Sequence, residues 1–237
     1  MSEWTAKRFC KETGITEGDT GFGVALDGRP VKTPAKAALI LPTRGFAEAV
    51  AREWDAIEDQ IDPREMPFTR TANAAIDKVT VQKAEVADMI ADYGGTDLLC
   101  YRAEGPETLR ARQDAAWDPL LDWAERIFGA RLLVTSGVMH KAQPEAAQKP
   151  LRAAVHGCTA FQLAALHDLV ALSGSLIIGL ATARGQSAPE ALWELSRIDE
   201  TWQEEQWGED EEAQNQTAFK RASFLHAEHV WRLASLH

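Results

Sequence analysis

Ten carboxylates fall between Glu190 and Glu212 (Glu190, Glu194, Asp199, Glu200, Glu204, Glu205, Glu209, Asp210, Glu211 and Glu212), with Arg197 as the one base among them and a local charge of -9. Three kinds of work are open to carboxylates at that density: proton transfer, holding a cation, or meeting basic groups on a protein partner. Two tryptophans favour the third. On one continuous helix at about 100° per residue, Trp193, Glu200, Glu204, Trp207 and Glu211 share a stripe within roughly 40° of one line, provided the helix runs on through Gly208. Ala191, Leu195, Ile198 and Trp202 fall on the opposite, core-facing side. Tryptophan is the strongest hot-spot residue type at protein interfaces, and flanking carboxylates select basic partners and steer their approach.

Other constellations do not assemble. Asp19-Thr20-Gly21 matches the aspartic-protease tripeptide, but a second copy to share the proton is missing, and the neighbouring Gly14, Gly18 and Gly23 make it a turn between strands. Gly18, Gly21 and Gly23 do not form G-x-G-x-x-G, and no Walker lysine follows. His226, Glu228 and His229 lie at a spacing that can hold metal but not in the H-E-x-x-H order. Ser173-Gly174-Ser175 lacks the nucleophile elbow and reads as a break between two buried helices. No catalytic residue, metal or cofactor is predicted. A competing reading keeps Glu209, Asp210, Glu211 and Glu212 as a carboxylate- or metal-dependent hydrolase site, and a third makes the chain a structural adaptor of some other complex.

The 237 residues are 45% hydrophobic and 26% charged, enough for one large or two small domains with a real core. The net charge of -11, without a basic stripe, argues against nucleic acid as partner. Cys10, Cys100 and Cys158 fit neither a disulfide framework nor a zinc site. Leu169 to Ala183 has no ionisable residue but is too short to span a bilayer, which takes about 20 apolar residues, so no membrane insertion is expected. Met1 to Phe9 shows no targeting pattern, and the chain is expected in the cytoplasm.

These residues must be positioned by a mixed fold. Phe22, Val24 and Leu26, the Asp27-Gly28 turn signal, and an extended segment from Val31 to Pro34 predict a hairpin, and Leu39 to Leu41 a further short strand. Thr43 as N-cap with Phe46, Val50, Trp54 and Ile57 predicts a helix whose buried face includes Trp54. Helices follow over about 68–79 and 80–93, the latter closed by left-handed glycine at Gly94-Gly95. The next opens at Pro106 and runs to Gly129 with Pro119 inside it; later patterns cover about 144–156, 159–172, 175–184, 187–207 and 213–236. Ser187-x-x-Glu190 predicts a capping box. The expected fold is thus an α+β N-terminal domain with a short-stranded sheet over 1–79, followed by an all-α C-terminal domain over 80–237.

Several pieces in order resemble the family of chaperones that escort the alpha subunit of F-type ATP synthase: Lys7-Arg8-Phe9, the run FGVALDGRPVKTP from Phe22 to Pro34 with its Asp27-Gly28 pair, Glu53-Trp54, Leu98 to Arg102 (LLCYR), Pro106-Glu107-Thr108-Leu109, Trp117-Asp118-Pro119 with Trp123, and Gln206-Trp207-Gly208 followed by Glu211. The resemblance implies a nonenzymatic holder that binds the unassembled alpha subunit until the beta subunit joins, and the free chain is expected to be monomeric. It implies a functional role for Glu211, the glutamate of W-G-x-x-E. Mitochondrial relatives tend to follow that glutamate with a histidine-aspartate pair, where Gln214-Asn215 stands here.

Overall fold

A computed structural model describes residues 12–58, 60–208 and 210–235. Lys7-Arg8-Phe9, Cys10 and Glu209 lie outside the described residues. The chain divides into two units, one of Met1–Lys83, Thr159–Ala165 and His229–His237, the other of Ala84–Cys158 and Leu166–Glu228. The first carries a small sheet and the second is almost wholly helical, which is the α+β then helical order of the fold class.

In the first unit, β1 (Thr13–Gly18), β3 (Arg29–Pro30) and β4 (Ile40–Leu41) all pair antiparallel with β2 (Gly21–Leu26). Asp19-Thr20 turns β1 into β2, with Gly18 facing Gly21. Asp27 and Gly28 both take positive φ, 49° and 76°, as a tight right-twisted hairpin requires. Asp27 Oδ1 also accepts from Glu12 N at 2.9 Å. β1 is absent from the sequence reading because Ile15 is its one strongly apolar residue, leaving no alternation to detect.

Thr43 begins α1 (Arg44–Asp55): its hydroxyl oxygen accepts from Phe46 N at 3.1 Å and its hydroxyl donates to Leu233 O at 2.7 Å. Phe46 and Val50 are fully buried among Val24, Leu39, Leu41 and Val230, and Phe46 meets the edges of Phe68 and Phe161 at centroid distances of 6.3 and 5.7 Å. Burying one such ring contributes about 2–3 kcal/mol. His229 stacks edge-on to Phe68 at 5.1 Å. α2 (Pro67–Ala74) runs into a π-helical turn, Ala75–Val79.

The second unit starts with most of α3 (Lys83–Asp92). Gly94 and Gly95 then close a 3-10 turn at Tyr93–Gly95 and are not left-handed; at Gly94 a Cβ would come within 3.2 Å of Leu176, so close packing explains that glycine. After the two-residue β5 (Tyr101–Arg102), α4 (Glu107–Phe128) passes through Pro119 unbroken and ends at Gly129, φ 70°. β6 (Thr135–Ser136) pairs parallel with β5. α5 (Glu145–His156), α6 (Ala160–Ser173) and α7 (Leu176–Ala183) follow, the last two separated at Gly174 and α7 buried almost throughout. α6 and α10 contribute to both units. The predicted helix over 187–207 is two helices, α8 (Pro189–Leu195) and α9 (Ile198–Trp207), before α10 (Glu211–Ser235). The capping box is also corrected: Ala188 is the N-cap of α8, and the Ser187 hydroxyl bonds Gln186 Oε1 at 2.6 Å.

Candidate functional site

Asp97 and Arg102 organise the interior of the second unit. Asp97 is fully buried, and its carboxylate accepts from Leu99 N and Ile177 N, both at 3.0 Å, tying the 3-10 turn Leu98–Cys100 to the start of α7. Burial nevertheless wins over these donors and pushes its carboxyl up to about 6. The neighbouring Cys100 thiol is pushed up to about 12 by burial, which makes it an inert core residue. Arg102, equally buried, reaches Asp114 at 2.8 Å, Asp118 at 2.6 Å and the Leu99 carbonyl, with its guanidinium 5.0 Å above the Trp117 ring. Arg102 and Arg110 hold the Asp114 carboxyl below the usual carboxylate range, against a desolvation effect that raises it.

On this platform three α4 side chains hold the end of α8 and α9. Trp117 Nε1 donates to Leu195 O at 2.8 Å, Arg112 donates to the Glu205 carboxylate at 2.8 Å, and buried Gln113 donates to Asp199 Oδ1 at 2.6 Å while accepting from Ala103 N at 2.7 Å. Gln113 thereby spaces α9 from the 101–105 segment. Between them lies a groove of about 510 Å³, floored by Gln113 and Leu109 and edged by Tyr101, Val138, Trp202 and Trp207. Its wall at Gly137 is tight: Gly137 N donates to Arg102 O at 2.9 Å, and a Cβ there would lie 2.9 Å from Glu104 Oε1. Trp207 is 79% exposed and Val138 is 93% exposed, an apolar display at the rim of a concave surface.

The predicted stripe survives in part. Trp193 is not on it: only 1% exposed, it packs on Phe224 with centroids 5.5 Å apart and under Arg197 at 5.6 Å. Ser196 ends α8, its hydroxyl and amide both bonding Trp193 O, and the break resets the phase of everything downstream. Trp202, placed on the core side by the uninterrupted wheel, lines the groove instead. Glu200 pairs with Arg197 at 2.7 Å. Glu204 is half-buried and Glu211 exposed, and neither is in an ion pair among the described residues. Gly208, at φ 90° and ψ 168°, ends α9, so Glu211 belongs to the first turn of α10 and not to a continuation of α9. Asp210 caps that turn, its Oδ1 accepting from Ala213 N at 2.8 Å. Glu211 and Glu212 face the helix N-terminus, where negative charge is favourable. Among the described residues no group of three or more His, Cys, Asp or Glu could hold a metal ion, and no helix is long and apolar enough to cross a membrane. Asp199 and Tyr101, present in the sequence reading only as part of the acidic run and of LLCYR, join Gln203 and Val138 in the site; Val138-Met139, two apolar residues after Gly137 outside any period, gave a further sequence signal. Trp54 packs partly buried against the first unit's core.

The model of the ATP12 chaperone protein family matches residues 7–125. The fold closely follows the crystal structure of Atp12 from Paracoccus denitrificans, 49% identical with a TM-score of 0.94 over 98% of this chain and 100% of that one. An aspartate-to-lysine mutant of the Paracoccus denitrificans protein is similar at 48% identity and a TM-score of 0.95, covering 98% and 100%. A protein from Agrobacterium tumefaciens follows at 41% identity and a TM-score of 0.92, covering 97% of this chain and 86% of that one. On sequence and structure together, the chain belongs to the ATP12 chaperone family.

Proposed function

We propose that this protein is a nonenzymatic assembly chaperone of F-type ATP synthase that binds the unassembled alpha subunit through the second unit's groove. The observation that carries the reading is Trp207: an indole 79% exposed at the rim of a concave surface. An exposed indole is unfavourable in a free protein and becomes an asset when a partner covers it. A free subunit exposes an interface its neighbours normally bury, and such apolar surface invites aggregation. A holder needs a desolvated anchor for affinity and a charged periphery for partner choice, which Trp202 and Trp207 with Glu204 and Glu211 provide in that division of labour. The working compartment proposed is the cytoplasm, and the free protein is a monomer.

Co-expression with the alpha subunit of the same organism tests this. Soluble alpha subunit that coelutes with this chain on size exclusion is expected, with no rescue by an unrelated acidic protein of equal size. Glu211→Lys is expected to abolish coelution while its thermal transition moves by only a few degrees, since reversing one exposed charge at a helix N-terminus costs about 1 kcal/mol. Undiminished coelution with Glu211→Lys would remove Glu211 from the interface, and alpha subunit left insoluble by the unmodified protein would defeat the reading.

A further inference from the structure

We infer that the groove of the second unit recognises its client by one arginine side chain, stacked on the Trp202 indole and bonded to the Asp199 carboxylate; the inference deepens the reading of that groove as the client site and rests on it. The chain already holds an arginine in this way. Asp114 and Trp117 stand three residues apart on α4, so they are neighbours on one helix face, and together they hold Arg102: its Nε donates to Asp114 Oδ1 at 2.8 Å and its guanidinium lies 5.0 Å over the Trp117 ring. Asp199 and Trp202 repeat the same D-x-x-W couple on α9. Here no cation of this chain lies over the ring among the described residues, and Asp199 is in no ion pair. The first couple faces the interior, with Trp117 fully buried, whereas Asp199 and Trp202 are both partly exposed and both line the groove. The second couple is thus open to a guanidinium supplied from outside.

The carboxylate is fixed before any client arrives. Gln113, 1% exposed, donates from Nε2 to Asp199 Oδ1 at 2.6 Å, and the other carboxylate oxygen has no hydrogen-bond partner among the described residues. A pre-positioned acceptor reduces the ordering cost of binding. Charge then selects the occupant. Glu104, exposed and in no ion pair among the described residues, brings a second carboxylate to the groove. Arg102, the one basic residue in the lining, gives no charge to it, because its buried guanidinium is taken up by Asp114, Asp118 and the Leu99 carbonyl. The N-terminus of α9 contributes a positive potential worth about half a unit charge, which two carboxylates outweigh. An apolar client side chain seated here would desolvate Asp199 with nothing to compensate its charge, whereas a cation pairs with the carboxylate and gains the ring as well. Arginine fits better than lysine: a guanidinium lies flat on an indole while donating within its own plane to a carboxylate beside the ring, as Arg102 does at Trp117, and an ammonium is a strongly hydrated point charge that cannot do both.

The test uses the full chain with 15N-labelled tryptophan and four blocked tripeptides, acetyl-Leu-Arg-Leu-amide and its analogues with lysine, citrulline or norleucine in the middle. Salt at about 0.15 M screens the diffuse attraction of an acidic chain for any cation. The Trp202 indole N–H resonance is identified by its loss in Trp202→Phe. The arginine peptide should shift that resonance saturably, and the citrulline and norleucine peptides should bind at least about tenfold more weakly, with lysine at least about threefold weaker than arginine. Asp199→Asn keeps the acceptor for Gln113 and removes the charge, so it should weaken the arginine peptide by about tenfold or more and leave the citrulline peptide within about twofold. Asp122→Asn removes an exposed acid of α4 outside the groove and should change neither peptide by more than about twofold. The absence of a saturable shift with the arginine peptide, equal affinity for arginine and citrulline or for arginine and lysine, or an equal loss from Asp122→Asn and Asp199→Asn would each overturn the inference. The peptide comparison on the unmodified protein holds whether or not a variant folds. Alpha-subunit rescue is scored separately: rescue without arginine selectivity overturns this inference alone, and arginine selectivity without rescue overturns the alpha-subunit reading alone.

Discussion

Asp97→Asn removes one buried negative charge, and the structure fixes how its effect must vary with pH. Two forces oppose each other on this carboxyl. Burial disfavours the charged form, while bonds from Leu99 N, Ile177 N and the Ser175 hydroxyl favour it; burial is the larger, and the group titrates near 6 instead of 3.8. Between those values the native protein holds the proton more often than the unfolded chain does. Stability therefore falls as pH rises through that window and levels off above it. A displacement from 3.8 to about 6, at about 1.4 kcal/mol per pH unit, amounts to about 3 kcal/mol. The asparagine variant has no such titration, but its amide can accept only one of the two backbone N–H bonds, a pH-independent loss of about 1–3 kcal/mol. Urea unfolding followed by tryptophan fluorescence, at half-unit steps from about pH 4 to pH 7.5, should show unmodified protein losing about 2–2.5 kcal/mol relative to the variant over the series, the part of the total that lies above pH 4. Titrations common to both proteins, such as those of Asp62, Asp88 and Asp114, cancel in the difference. A difference that stays flat, or that grows in favour of the unmodified protein as pH rises, would mean that the backbone donors outweigh burial and would refute the account.

Arg102→Met deletes a fully buried guanidinium and strips the Leu99 carbonyl of its partner while Asp114 and Asp118 stay partly solvated, so a loss of about 1–3 kcal/mol is expected in denaturant unfolding; no loss would show the cluster to be dispensable. Trp207→Ala should leave the unfolding free energy within about 0.5 kcal/mol while reducing alpha-subunit coelution, because the indole is 79% exposed in the free protein.

Where a residue type is matched to a local backbone need, the sequence was readable. Thr43 at the start of α1, Asp27-Gly28 at positive φ and Gly129 at the end of α4 are each answers to a geometric demand that few residues meet. β1 was not readable, because Thr13-Gly14-Ile15-Thr16-Glu17-Gly18 offers one apolar side chain and its pairing is enforced by β2. The break after Leu195 was hidden for a similar reason. Serine is a weak interrupter in most helices, and only the bond from Ser196 to Trp193 O makes it one here. Trp193 and Trp207 look equivalent on an uninterrupted wheel and are opposites in the fold, 1% and 79% exposed. Tyr101 could not be assigned to the site by any local pattern, since it meets Trp202 and Trp207 only through the packing of α9 on α4.

Of the motifs that carried the resemblance, three build the frame of the groove, while Gln206-Trp207-Gly208 lies on its rim. Arg102 from LLCYR, Trp117 and Asp118 from the W-D-P run, and Leu109 from P-E-T-L hold α4, the 101–105 segment and α9 at fixed spacing. Such residues are narrowly constrained: a guanidinium that must satisfy two carboxylates, a carbonyl and an indole face at once has no substitute, lysine included. Rim residues meet looser demands, because an exposed carboxylate can be moved along a helix and still present charge to a partner. Recognisable sequence thus marks both the frame and Trp207 itself, and under the proposed function the choice of client would fall to the acids of α9 and the first turn of α10, which is why Glu211 has to be tested in the presence of that client.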